Sequence, residues 1–414
     1  MSAADPSMPD AITTDPNASA RRNALILSAA QALTGAAAPI SIALGGLAGS
    51  YLLGADKSLA TAPITGYNIG VAMAAIPAAM IMARIGRRLG FVGGAVIGMV
   101  GMLLSAYAIV QGDFWLFCIG MLLNGSGGAF TQQYRFAAVD QGTPEFKPKA
   151  ISWVLAGGLF AAVIGPQTAI YTRDWFSPVE FAGAYFAGTF LLFGGALVLG
   201  LLKFDKPPTK AERKAADTGR PLAEIMAQPK FMVSVTCAVG SYALMAYVMT
   251  GAPLAMQLCG FGPDQSTNGI MFHVMAMFGP SFFTGNLIAR FGKGRIVAAG
   301  MIILAACAVV GLSGIELAHF YTALILLGIG WNFGFIGATA MLTDTYRPEE
   351  KAKAQGANDF ILFGMVAFAS LMSGTTLNLF GWDALNWVVF PVVAICLVSL
   401  LWLHLSSRSK TAIS

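Results

Sequence analysis

Two stretches of the sequence, PEFKPKA at residues 144–150 and PEEKAKA at residues 348–354, are nearly identical and lie 204 residues apart. The same offset places Asp140 on Asp344, so the match extends in the N-terminal direction. Each stretch follows one long apolar run and precedes another. The chain is therefore predicted to contain two related halves.

The composition places both halves in a membrane. Of the 414 residues, 56% are hydrophobic and only 11% are charged, whereas a soluble domain carries about 25% charged residues. Apolar runs long enough to cross a bilayer recur along almost the whole sequence, and no stretch remains for a soluble domain.

A second pair of loops supports the repeat, at an offset of 206. ARIGRR at residues 83–88 matches ARFGKG at residues 289–294. Chance similarity between basic loops is the alternative, but both matches fall in the same order along the two halves. Parallel repeats are typical of transporters whose halves rock about a site near the bilayer midplane.

The apolar segments predict an all-α polytopic membrane protein with twelve transmembrane helices. Each run is continuously apolar, unlike the alternating strands of a barrel, and lipid requires each backbone donor to be satisfied within its own segment. The helices are placed near residues 24–50, 62–83, 90–110, 114–139, 150–171, 180–203, 230–258, 266–289, 295–314, 317–343, 353–378 and 383–405.

Charge clusters divide the chain into five segments. We expect a disordered cytoplasmic tail at residues 1–23, one six-helix bundle at 24–203 and a cytoplasmic linker at 204–229. A second, pseudo-symmetric six-helix bundle at 230–405 precedes a cytoplasmic tail at 406–414.

The positive charges predict the orientation of the helices. Of the 25 Lys and Arg residues, all but Lys57 and Arg173 fall in segments on one side of the predicted membrane. The positive-inside rule makes that side, and both termini, cytoplasmic. The net charge of +5 follows from this topology and gives no indication of nucleic-acid binding.

No enzyme, cofactor or metal site is predicted. The five cysteines are odd in number, lack CxxC spacing and lie in or at the ends of predicted helices, so they are interpreted as packing residues. A membrane hydrolase would need a nucleophile beside a base, and His319 and His404 lie at predicted membrane edges. A sensor would normally carry an extra domain.

The loop after helix 2 resembles the signature loop of the major facilitator superfamily through Arg84, Gly86, Arg87 and Arg88. Its counterpart after helix 8 contains Arg290. The resemblance covers essentially the whole chain and implies the major facilitator fold. In that family the loop holds the cytoplasmic helix ends together in the outward-facing state. Asp140 and Asp344 are either its ion-pair partners or ordinary interfacial anchors.

Gly165 and Pro166 resemble the antiporter motif of the same family. The usual acidic residue before the first loop Arg is Ala83, however, and the usual Arg of helix 4 is Met121. These departures weaken the alternative function, proton-coupled efflux of drugs or metabolites.

The family resemblance implies that helices 1, 4, 7 and 10 line the transport pathway. Here those helices carry uncharged hydrogen-bonding and aromatic groups, which suit a planar neutral substrate. Any single one could instead be an interhelical hydrogen bond or a packing residue. The predicted binding residues are Gln31, Thr34, Asn124, Gln132, Tyr242, Tyr247, Trp331 and Asn332. We expect substitutions of Gln31, Trp331 and Asn332 to alter affinity.

Charged groups at bilayer depth are costly and usually functional. Asp359, beside Asn358, is the only carboxylate predicted away from a loop or helix end, and His273 is the only histidine predicted within a span. Either could couple transport to protons, so Asp359→Asn is expected to impair transport; without them the protein is a facilitator. Arg135 is either a snorkelling anchor, which is favoured, or an inner-gate residue.

Several stretches of helices 4, 5, 10 and 11, among them QYRFAAVD, PKAISWVLAGG, GIGWNFGFIG and AQGANDF, are more specific than the loop motif. They resemble a bacterial group of the superfamily that includes riboflavin transporters of alphaproteobacterial type. This resemblance implies riboflavin uptake across the inner membrane by a protein that we expect to be monomeric.

Overall fold

The computed structural model describes residues 17–138, 140, 143, 146–204 and 219–411. These residues form α-helices and one 3₁₀ turn, with no strand among them. The helices are α1 (Ala18–Thr34), α2 (Ala37–Leu52), α3 (Ala62–Ile85), α4 (Arg87–Gln111), α5 (Phe114–Thr131), α6 (Tyr134–Ala137), α7 (Lys147–Thr172), α8 (Ala182–Leu199), α9 (Leu222–Met226), α10 (Pro229–Leu258), α11 (Pro263–Phe278), α12 (Ser281–Phe291), α13 (Lys293–Ser313), α14 (Leu317–Leu342), α15 (Lys351–Trp387) and α16 (Val389–Thr411).

The predicted transmembrane helices are confirmed, although several are broken. Ten stretches of the described residues are long and apolar enough to cross a membrane. One of them, Lys353–Ser406, contains two predicted spans, which separate at Gly381, where φ is 80°. The remaining span is interrupted at Gly279 and Pro280 and forms α11 and α12. The twelve predicted spans therefore correspond to helical segments.

Helices 1 and 4 of the prediction are each divided into two helical segments. Helix 1 breaks between α1 and α2, where Pro39 cannot donate a backbone hydrogen bond to the carbonyl of Gly35. Helix 4 breaks between α5 and α6 at Gln132 and Gln133. Both interruptions lie on the wall of the central cavity, where backbone and polar side chains are brought to its surface.

The predicted N-terminal tail ends earlier than expected. The first helix starts at Ala18 rather than at residue 24, because Arg22 and Asn23 have partners at the end of α8. The Arg22 Nη2 donates to the Leu201 carbonyl at 2.8 Å, and the Asn23 Nδ2 donates to the Lys203 carbonyl at 2.6 Å. Carbonyls at a helix end lack partners within the helix, and these side chains supply them.

The predicted linker and C-terminal tail are partly described. The short helix α9 lies within the segment predicted as linker, and α16 continues to Thr411 instead of ending near residue 405. Residues 1–16, 205–218 and 412–414 of the predicted tails and linker lie outside the described residues.

Each half packs its third predicted helix closely against its fourth. A Cβ at Gly101 would lie 2.3 Å from the backbone nitrogen of Asn124, and one at Gly300 would lie 2.3 Å from the backbone nitrogen of Gly334. Only glycine allows α4 to approach α5, and α13 to approach α14, so closely. The two halves therefore share one packing arrangement.

The halves meet at the end of the molecule opposite the loops at residues 84–88 and 290–295. We call the loop end the basic side and the opposite end the far side. On the far side, the Arg173 Nη1 of one half lies 2.8 Å from the Asp264 Oδ1 of the other. A Cβ at Gly374 would lie 3.0 Å from the Cβ of Thr61. These contacts close the far side.

Candidate functional site

A cavity of about 1350 Å³, which includes the space at its mouth, lies between the two halves. Its walls come from helices of both halves and are mostly apolar, with amide, hydroxyl and aromatic groups among them. Gln132 lines the cavity near the basic side and is exposed. Because the far side is closed, this cavity opens to the basic side.

Five of the predicted binding residues line this cavity: Gln31, Thr34, Asn124, Gln132 and Tyr242. The Thr34 hydroxyl lies 3.2 Å from the Tyr134 hydroxyl. The Asn124 Nδ2 donates to the Ser41 Oγ at 2.8 Å, which ties α5 to α2.

A second cavity, of about 710 Å³ with the open space at its mouth included, adjoins the first. Tyr242, Gln132 and Arg135 line both cavities, whereas Trp331 and Asp359 line the second. The residues that carry a formal charge in the two linings are Arg135 and Asp359, one from each half. Together the cavities form a nearly uncharged chamber.

Aromatic rings form one wall of the second cavity. Trp331 and Phe335 are stacked, with ring centroids 5.1 Å apart and planes 18° apart. Tyr242 meets Trp331 edge-on at 5.4 Å and Phe363 at 5.9 Å. Rings locked together in this way present flat surfaces of fixed orientation, which a planar ligand can contact at low entropic cost.

Two of the predicted binding residues do not line either cavity. Tyr247 is five residues after Tyr242, about 140° around the same helix, so its side chain faces the protein core. Asn332 is fully buried and faces the break between α11 and α12, where its Nδ2 donates to the Met277 carbonyl at 2.6 Å and its Oδ1 accepts from the Thr284 Oγ1 at 2.6 Å. Asn332 therefore stabilises the break between α11 and α12.

His273 is also remote from the cavities. The ring is fully buried, and Nδ1 lies 2.8 Å from the Leu324 carbonyl. A carbonyl oxygen only accepts, so Nδ1 must carry the ring proton. The ring therefore ties α11 to α14 and is not among the residues that line the two cavities. Asn358 is buried as well, and its Nδ2 donates to Asp359.

Arg135 does not lie as the favoured anchor interpretation expected. Its side chain lines both cavities, and its Cζ lies 4.9 Å from the centroid of the Phe136 ring. Its Nε is buried and has no hydrogen-bond partner among the described residues. The break between α5 and α6 turns this part of the chain towards the cavity.

The basic loops form equivalent contacts in the two halves. Gly86 and Gly292 occupy the same left-handed conformation, with φ of 90° and 89°, which glycine adopts without strain. The Arg87 Nε lies 2.9 Å from the Asp140 Oδ2. The side chains of Arg84, Arg88 and Arg290 are exposed.

In the second half, Asp344 accepts hydrogen bonds from Lys230 and Lys293. Burial alone would raise the pKa of Asp344, but the two lysines outweigh it and hold the pKa below its ordinary value. Asp140 and Asp344 are thus ion-pair partners of the basic loops. Each of these ion pairs stays within its own half.

Sequence reasoning missed lining residues on helices outside the four expected ones. Tyr67 and Asn68 come from α3, Phe278 from α11 and Phe363 from α15. A Tyr-Asn pair inside an apolar span was a signal that could have identified the first two. Phe278 and Phe363 had no such signal, because phenylalanine is ordinary in a membrane helix.

Two six-helix halves around a nearly uncharged chamber, closed on one side, define a secondary transporter of the alternating-access class. The sequence profile of the Major Facilitator Superfamily matches residues 23–308 and 280–414. The chain belongs to this superfamily.

Three relatives are similar along most of their length. The riboflavin transporter RfnT of Brucella anthropi is 48% identical over 395 residues, which cover 95% of this chain and 98% of that protein. The uncharacterized MFS-type transporters YddS and YdeG of Bacillus subtilis are 29% and 28% identical, covering 89% and 86% of this chain and 89% and 85% of their own lengths.

Proposed function

We propose that the protein imports riboflavin by alternating access. The observation that carries this proposal is the 48% identity to a riboflavin transporter over 95% of the chain. The substrate chamber agrees with it, because its lining suits a flat neutral molecule with many hydrogen-bonding groups.

The chemistry of riboflavin matches the two kinds of lining group. Its tricyclic ring is planar and would contact the aromatic wall formed by Tyr242 and Trp331. Its ribityl hydroxyls both donate and accept, as do the amides of Gln31, Asn124 and Gln132. The proposed binding set is therefore these five residues with Thr34.

Charge discriminates against the phosphorylated form of the vitamin. Arg135 and Asp359 are the ionisable residues that carry a formal charge in the described lining, and their charges cancel. A phosphate dianion would enter the chamber without a net positive partner, which is costly in a low-dielectric site. We expect riboflavin to be preferred over its phosphate ester.

The protein lies in the bacterial inner membrane with both termini in the cytoplasm, so that the basic side faces the cytoplasm. The support for this orientation is that Lys57 and Arg173 are the exceptions among 25 positive residues. The described state is then open to the cytoplasm and ready to release an imported substrate. The unit of transport is the monomer.

Growth tests the function directly. A riboflavin auxotroph that lacks its own importer should grow on low external riboflavin when it expresses this chain. Uptake of labelled riboflavin with and without an uncoupler then separates proton coupling from facilitated diffusion. No rescue by a protein shown to be present in the membrane would overturn the proposal.

Proton-coupled efflux is the second candidate. The resemblance of Gly165 and Pro166 to the antiporter motif of the superfamily supports it. A Cβ at Gly165 would lie 2.5 Å from the Ala36 carbonyl, so α7 packs closely on the break in helix 1. An exporter would lower the cellular content of its substrate in energised cells, whereas the importer raises it.

A further inference from the structure

Two residues that line the second cavity each carry a buried N–H donor without a protein partner in the described part of the chain. One is the Trp331 Nε1, on a residue that is only 7% exposed, and the other is the Arg135 Nε. A buried donor without an acceptor costs free energy. Two of them at one cavity indicate a ligand that supplies acceptors.

The same cavity contains one strong acceptor. The Asp359 Oδ1 accepts from the Asn358 Nδ2 at 3.0 Å, and within the described residues Oδ2 has no hydrogen-bond partner. Arg135 and Asp359 come from different halves and do not form an ion pair in this state. A cation and an anion that face one cavity without touching leave room for a group between them.

We propose that the second cavity binds the imide edge of the flavin ring, an inference that rests on the proposed function. An imide presents two carbonyl oxygens on either side of one N–H. The Trp331 and Arg135 N–H groups donate to the two carbonyls, and the Asp359 carboxylate accepts from the imide N–H. The face of the flavin ring lies against Tyr242, Phe335 and Phe363 of the aromatic wall, while Trp331 meets its edge.

This arrangement would also link substrate binding to the switch between the two states of the transporter, one open to the basic side and the other to the far side. Arg135 belongs to the first half, while Trp331 and Asp359 belong to the second. A ligand that bonds to all three draws the halves together on the basic side. A ligand shifts a conformational equilibrium only through such differential contacts.

The test compares riboflavin with 3-methylriboflavin, whose methyl group replaces the imide hydrogen. Binding to the purified full-length protein is measured by quenching of flavin fluorescence. The wild-type protein should bind the methyl analogue roughly ten- to a hundredfold more weakly, as expected for the loss of one hydrogen bond to a charged group. Asp359→Ala should weaken riboflavin binding and reduce the ratio of the two dissociation constants to about 1–2.

One further variant tests the Trp331 donor, and two others serve as matched controls. Trp331→Phe keeps the aromatic ring and removes the donor, so it should weaken the binding of both ligands about tenfold. Trp382→Phe removes a donor that bonds to the Gly311 carbonyl outside the cavities, and Asp383→Ala removes an exposed carboxylate. Neither should change the ratio.

The outcomes separate the two proposals. If riboflavin binds but the methyl analogue binds equally well to the wild-type protein, the imide site is wrong and the transport function stands. If Asp359→Ala weakens both ligands equally, Asp359 serves only to pair with Arg135 when the halves close, and the imide site is again wrong. If riboflavin does not bind at all, both proposals fail.

Discussion

The Arg87 Nε lies 2.9 Å from the Asp140 Oδ2, and the pair recurs at the corresponding positions of the second half as Lys293 and Asp344. The repeated loops therefore serve one structural purpose twice, the joining of neighbouring helix ends within a half. Their sequence similarity follows from that shared contact.

Loss of these pairs should lower stability without changing which side is open. Asp140→Asn removes one partly exposed ion pair, worth about 1 kcal/mol or less. Asp344→Asn releases two lysines and should lower the midpoint of thermal unfolding further. Arg88→Ala, at an exposed position of the same loop, is the control. A large change in accessibility of the cavity from the far side would show that the loops hold the halves together.

Glu350 should give the stability of the linker junction a defined pH dependence. Hydrogen bonds from Arg220 and from the backbone N–H of Arg347 hold the pKa of Glu350 far below its usual range. Because its pKa is depressed, ionised Glu350 stabilises the folded state at pH values above the unfolded pKa of 4.5. This stabilisation is lost as the pH falls further below that value.

Glu350→Gln should therefore lower the unfolding midpoint by a constant amount between pH 8 and about pH 6, with the difference from wild type shrinking below about pH 4.5. A difference that grows as the pH falls would contradict this assignment. The measurement is thermal unfolding in detergent across the pH series.

Asn332 and Trp331 should behave in opposite ways although they are adjacent. Asn332→Leu removes the bonds to Met277 and Thr284 and should cost about 1–2 kcal/mol of stability. Thr284→Val, which removes one of these bonds, should cost less. In both variants the affinity of the folded protein for riboflavin should change little. Trp331→Phe should instead weaken riboflavin binding and leave the free energy of unfolding nearly unchanged.

Asp359→Asn should separate binding from coupling. Asparagine still offers an oxygen acceptor but cannot exchange a proton. Riboflavin binding and exchange should persist, whereas any accumulation driven by a proton gradient should disappear. Unchanged gradient-driven accumulation would remove Asp359 from the coupling mechanism, and Asp383→Asn is the matched control.

The ion pair between Arg173 and Asp264 should stabilise the described state, in which the far side is closed. Asp264→Arg places a second cation beside Arg173 and should favour opening of the far side. A change of about 1 kcal/mol corresponds to a roughly fivefold change in population. A cysteine at Ala38, on the cavity wall, reports this opening through labelling by an impermeant maleimide. Adding Arg173→Asp to Asp264→Arg re-forms an ion pair with the charges exchanged and should restore slow labelling. If the double variant still labels fast, the effect of Asp264→Arg is general damage to the protein.

The sequence predicted the number and order of spans because hydropathy and charge are properties of whole segments. The direction in which a single side chain faces depends on helix phase and on breaks, which are local. Tyr247 and Asn332 were therefore assigned to the cavity although they face away from it, and the break at Gln132 and Gln133 turned Arg135 into it. Phe278 could not be recognised, because only the packing of the halves distinguishes it from a lipid-facing ring.

Counterflow in proteoliposomes tests the central claim, that one chamber between two moving halves carries riboflavin. Vesicles preloaded with unlabelled riboflavin should transiently accumulate labelled riboflavin. In a background without native cysteines, Thr61→Cys combined with Gly374→Cys should form a disulfide that locks the far side, since a Cβ at position 374 would lie 3.0 Å from the Thr61 Cβ and a shift of about 0.5 Å reaches the separation that a disulfide spans. Oxidation should abolish counterflow and reduction should restore it. Counterflow that continues at the wild-type rate in the fully cross-linked protein would contradict the account.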